Sequence, residues 1–146
     1  MAAGYRVIEN VALADTAFEA WGDNPSQLFE AASNALIETM VTSSTVGDSW
    51  HKNIRLQHVE LKELLFEWLS CLVFLKDAES VLFHRVQCLL WHNQNHNMWH
   101  IHGVLIGARI DPSCQELHMD VKAVTRHLYD VRQKGNHWVA TIVLDV

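Results

Sequence analysis

Cysteine and proline are scarce in this chain, and their scarcity excludes a good deal. Cys71, Cys88 and Cys114 stand far apart without a CxxC pair, so neither a disulfide framework nor a thiolate zinc site is written into the sequence, and a reducing compartment fits it best. Basic residues are also few. Eleven lysines and arginines face seventeen acids, a formal charge of -6, which offers no general attraction to phosphate backbones unless the basic groups cluster in space. Strong direct nucleic-acid binding is therefore not expected. No apolar run approaches a membrane span, and the opening "MAAGYRVIEN" lacks the basic and apolar segments of a signal peptide, so no membrane association is expected. Phosphate loops, nucleophile elbows and HExxH motifs are absent, and the two prolines, Pro25 and Pro112, fall at element boundaries instead of in a linker.

What is present suits one compact domain over residues 1–146, with 49% hydrophobic side chains to fill a core. "DTAFEAWG" alternates apolar or small residues with polar ones and predicts a short half-buried strand. Asn24 as N-cap and Pro25 at the first helical position then open a helix, in which Leu28, Ala32, Ala35, Leu36 and Met40 recur at helical spacing. "TSSTVGDSW" reads as a loop. "NIRLQHV" alternates Ile54, Leu56 and His58 against Arg55, Gln57 and Val59, as a strand does. "ELKELLFEWLSCLVFLKDAE" is apolar on most sides around Leu61, Leu65, Trp68 and Leu72, so this helix is deeply buried or meets a partner. Its row of Glu60, Glu63 and Glu67 reads as a solvated stripe, because buried carboxylates need partners that the row does not supply.

The stretch "WHNQNHNMWHIHG" puts four histidines, His92, His96, His100 and His102, close together, and histidine is the usual transition-metal ligand. The flanking runs "VLFHRVQCLLW" and "MWHIHGVLIGARI" face each other as a hairpin around the polar "HNQNHN". In that setting His100 and His102 point to one face, while His92 and His96 ride on the tip; exposed hairpin histidines are the reading preferred over a zinc site, which needs three or four converging ligands. Two further strands, "MDVKAVTRHLYDV" and "HWVATIVLDV", flank the turn "RQKGN". Strand, helix, strand, helix and four strands predict an α+β fold: a single two-layer domain with two helices packed on a mainly antiparallel sheet.

The run "VKAVTRH" from Val121 to His127, Trp138 and the terminal "VLDV" together resemble the archease family, whose strand reads IKAVTYH and whose tail closes on a hydrophobic-Asp-hydrophobic triplet. "DTAFEAWG", "LFEAASNAL" and "LLFEWL" agree in the expected order, so the resemblance covers nearly the whole chain. It implies an accessory protein, not an enzyme, that activates the GTP-dependent RNA ligase of tRNA splicing and RNA repair, promoting ligase guanylylation and multiple turnover. It also implies a divalent cation, calcium or magnesium, held by Asp15 and Asp145 with the terminal carboxylate of Val146. An all-carboxylate set is a hard site suited to those ions. Read without the family, Asp15 is a loop acid and Asp145 a polar residue in a fraying tail.

The chain departs from the family pattern. "ALAD" from Ala12 to Asp15 replaces His-Thr-Ala-Asp, Gly107-Ala108 replaces a Gly-Glu pair, and "WLSCL" stands for a WLNEL-like run, which marks a divergent member. An alternative alignment sets "ENVAL" on the first motif and puts Leu13 where the aspartate belongs. By strand alternation Lys122 and His127 fall on opposite faces. Lys122 is a candidate for holding the partner or a phosphate and His127 for a place beside the metal; their plain readings are a surface lysine and a hydrogen-bonded strand histidine. Three function classes follow: the ligase activator, in the cytoplasm or the nucleus of a eukaryote; a zinc-dependent hydrolase on the His-rich hairpin; and a chaperone-like module using the apolar helix around Trp68 without metal.

Overall fold

The computed structural model describes residues 2–9 and 15–146. Strands β1 (Gly4–Ile8) and β2 (Asp15–Gly22) lead into α1 (Pro25–Met40), and β3 (Trp50–His58) leads into α2 (Leu61–Glu79). Two hairpins complete the chain: β4 (Val81–Asn93) with β5 (Met98–Arg109), and β6 (Ala123–Lys134) with β7 (His137–Asp145). The class is α+β, as expected, but the single sheet is not what forms. The strands divide into a four-stranded sheet ordered β1-β2-β7-β6 and a three-stranded sheet ordered β3-β5-β4, every pairing antiparallel. β1 is the element absent from the sequence reading. It is a five-residue edge strand with Val7 64% exposed, so it carries no buried alternation to betray it.

α1 begins as predicted. The Asn24 side-chain oxygen accepts from the Gln27 N–H at 2.9 Å, and Gln27 in turn accepts from the backbone N–H of Asp23 at 2.9 Å, so two N–H groups at the helix start are satisfied. α2 stops where Ser80 turns left-handed at φ 53. Both helices pack against strands of both sheets, and this shared helical layer is where the core sits. Trp68 lies at its centre, fully buried, donating from Nε1 to Ser33 Oγ at 2.8 Å while that hydroxyl donates to the Phe29 carbonyl at 2.6 Å. Burying each large side chain of this kind contributes roughly 2 to 3 kcal/mol. Gly103 of β5 makes room for the indole: a Cβ there would lie 2.0 Å from the Trp68 ring.

One buried charge joins the layers. Lys76 of α2 is 5% exposed and donates to Asp120 Oδ1 at 2.6 Å and the Val121 carbonyl at 2.7 Å, with Asp77 Oδ1 at 3.0 Å. Burial opposes its charge, but the hydrogen bonds and charges of Asp120 and Asp77 outweigh that and raise its pKa above the ordinary lysine value. The clamp fixes the segment that enters β6. Of the glutamate row, Glu60 and Glu67 are exposed and Glu63 pairs with Arg126, so the stripe is a solvated one.

Candidate functional site

Alternation places Phe18 and Ala20 of β2, and Ala140, Ile142 and Leu144 of β7, toward the helices. The odd-numbered residues of both strands therefore form the outer face of the four-stranded sheet. Asp15 opens β2 and Asp145 closes β7, and the register makes them direct cross-strand partners. Residues paired in this way carry their side chains on the same face a few ångströms apart. On the other side of Asp145 stands Ala123 of β6, whose small side chain leaves that flank open. All three are half-buried. Among the described residues no lysine, arginine or histidine forms an ion pair with either aspartate. Like charges directly opposite destabilise an antiparallel pair, and among the described residues no basic side chain offsets this one. Oxygen-only ligation matches calcium or magnesium, and no group of three or more His, Cys, Asp or Glu suited to a metal exists among the described residues.

The backbone N–H of Lys122 donates to the Asp145 carbonyl at 2.8 Å, which holds the end of β7 in place, and through Val121 that contact leads back to the Lys76 clamp. Val146 packs its side chain against the core. The alternation drawn for Lys122 and His127 fails. Lys122 precedes β6, and between them the strand breaks register: β6 runs from Thr125 to Asp130 while β7 moves only from Val143 to Thr141, with Leu128 left-handed at φ 56. His127 lies exposed in that irregular stretch without a register partner on β7. Ala12 and Leu13, on which the two alignments differ, lie outside the described residues.

The four hairpin histidines diverge. His92 belongs to β4, not to the tip; it opposes Trp99, with ring centroids 4.8 Å apart. His100 opposes Trp91 and stacks on it at 5.2 Å and 8°, on the other face of the sheet. His102 Nε2 meets Asn53 Oδ1 at 3.0 Å, and His96 sits exposed in the turn. The thiols carry no primed nucleophile: burial pushes Cys71 and Cys88 up, and Asp111 pushes up Cys114. An open cavity of about 590 Å³ lined by Arg6, Glu19, Trp21, Arg132 and His137 begins at Glu19, two same-face residue pairs along the outer face from the aspartates, and its charges are partly paired, Arg6 with Glu19 at 3.4 Å.

Fold and site define a small α+β domain in which two antiparallel sheets share one helical layer, with a carboxylate pair at a sheet end. The Archease protein family matches residues 5–146, and the chain belongs to that family. The protein archease of Methanopyrus kandleri is 31% identical over 133 residues, covering 91% of this chain and 94% of its own. That of Pyrobaculum islandicum is 32% identical over 146 residues, covering 97% and 95%. The fold is shared with the solution structure of Methanobacterium thermoautotrophicum protein 1598, with a TM-score of 0.81 at 24% identity over 98% of this chain and 99% of that one. It is shared also with the crystal structure of an archease from Thermotoga maritima, described as a possible chaperone, with a TM-score of 0.63 at 19% identity over 97% and 98%.

Proposed function

We propose that this archease-family domain is a non-catalytic accessory protein of a GTP-dependent RNA ligase of tRNA splicing and RNA repair, working in the cytoplasm or the nucleus. It promotes ligase guanylylation and multiple turnover through a calcium or magnesium ion held by Asp15, Asp145 and Val146. The observation that supports this most is the direct register of Asp15 with Asp145, two acids far apart in the sequence brought together with no basic side chain paired to either among the described residues. A cation with few protein ligands keeps positions open to phosphate oxygens or partner carboxylates. The chain's own residues supply the frame: β2 and β7 hold the aspartates opposite each other, and the Lys122 N–H fixes the Asp145 backbone. The exposed Lys122 side chain is the proposed contact to a phosphate or to the ligase, and the exposed His127 stands on the same strand beyond the register break.

The test is RNA sealing by a cognate ligase under multiple-turnover conditions. Adding this protein should accelerate sealing, and Asp145→Ala should abolish the acceleration while the protein stays folded. Equal sealing with and without the wild-type protein would contradict the proposal. A chaperone-like use of the apolar helix around Trp68 would not involve Trp68 itself, which is fully buried, but Phe74 of the same helix, which is 65% exposed. A zinc hydrolase on the hairpin lacks converging ligands, since His92 and His100 face opposite sides of their sheet.

A further inference from the structure

The three-stranded sheet packs one face on the helices and leaves the other open. In the register of β3, β5 and β4 the open face is built from positions 51, 53, 55 and 57, from 100, 102, 104 and 106, and from 85, 87, 89 and 91. Not one of these positions is Asp or Glu, in a chain with seventeen acids. They carry Arg55, Arg85 and three of the chain's histidines instead. Neither arginine is in an ion pair among the described residues. Trp91 is 42% exposed and Leu89 61%, and the Trp91 ring, stacked with His100, borders a hollow of about 390 Å³ that Arg55 and Gln57 also line.

We propose that this face is a docking platform for single-stranded RNA. Arg55 and Arg85, two of the chain's eleven lysines and arginines, stand on this face where no acid of the face cancels them, and such uncompensated charge attracts a phosphate backbone. A flat aromatic pair offers a surface on which an unpaired base stacks, and Asn53, Gln57 and Gln87 supply both donors and acceptors for base edges and 2′-hydroxyls. The aromatic pair favours a strand of nucleic acid over an acidic protein, because every unpaired base brings a π-face that can stack there, whereas an acidic side chain does not. Sequence reasoning missed it because each strand shows only its own alternation; the acid-free rows exist only once the three strands are in register.

The inference stands apart from the ligase reading, because it is measured on this protein alone. Fluorescence anisotropy with a labelled single-stranded RNA of about ten nucleotides, a length within the site sizes of single-strand binders, is the direct assay. The wild-type protein should bind, Trp91→Ala should weaken binding about tenfold or more, and Arg55→Glu should weaken it most at low salt, with a shallower salt dependence than the wild type. Both residues are exposed, so unchanged melting temperatures check that the variants are folded. Arg132→Glu, on the other sheet, should bind as wild type does. The same sequence as a duplex or as DNA should bind less tightly. No binding by the wild type, Trp91→Ala binding undiminished, duplex or DNA binding equally well, or displacement by polyglutamate as readily as by RNA would each overturn the proposal.

Discussion

The outer faces of the two sheets differ in how they treat charge. On the four-stranded sheet acids and bases alternate and pair, Arg6 and Arg132 with Glu19, Arg132 with Asp130, until the sheet end leaves Asp15 opposite Asp145 with no base paired to them among the described residues. On the three-stranded sheet no acid appears at all. The formal charge of -6 averages over these two surfaces and describes neither. A net charge speaks to a whole molecule at long range, whereas binding at a sheet face is decided by the side chains within one Debye length, about 8 to 10 Å.

The largest expected effect comes from removing what both faces share. Gly103→Ala forces a methyl group into the Trp68 ring, so the three-stranded sheet must lift off the helical layer. We expect a loss of about 3 kcal/mol, the upper range for overpacking, measured by urea denaturation. A loss below about 1 kcal/mol would show that the indole moves aside freely.

Lys76→Met is a milder break and acts on one side of the comparison only. It removes the clamp on Asp120 and Val121 that precedes Lys122 and the Asp145 contact, and should cost about 2 kcal/mol, the scale of hydrogen bonds to a charged group. The sign of its pH dependence follows from the raised pKa. The stabilisation is fully present below the ordinary lysine value of 10.5 and is lost as pH rises through the higher folded value. The stability gap between wild type and variant should therefore be constant at neutral pH and close in alkali; a gap that widens in alkali would contradict the assignment.

The smallest effect is expected where the sequence looks most metallic. Changing His92, His96, His100 and His102 together to Asn should leave calcium or magnesium affinity within about twofold, because the proposed ligands are carboxylates on the other sheet. Calorimetry would reveal the error if stoichiometric zinc binding disappeared along with ligase activation.

Legibility in the sequence follows the range of the interaction. The Asn24-Pro25 helix start, the strand "DTAFEAWG" and the hairpin around "HNQNHN" are set by residues within a few positions of one another, and the structure places them as read. The split into two sheets depends on which distant strands pair, and no single strand records its neighbour. β1 was hidden because an exposed edge strand needs no alternation. The register break after Thr125 turns on Leu128 at positive φ, where a glycine would have signalled the bend but a leucine does not. Asp15 and Asp145 were singled out through the family resemblance, and no local spacing connects residues at opposite ends of a chain. Their register is what the structure adds.

The central claim is that these two carboxylates await a cation, and melting curves of wild type and Asp15→Asn, each with chelator and with calcium or magnesium, test it most directly. In chelator the variant should melt slightly higher, because one of two opposed charges is gone, a relief of about 0.5 kcal/mol. With the cation at about a hundred times its dissociation constant, the wild type should gain about 2.7 kcal/mol and overtake the variant. Reversal of the order of stability between the two conditions is the predicted result. A wild type unmoved by either ion, or a variant that gains as much as the wild type, would contradict the account.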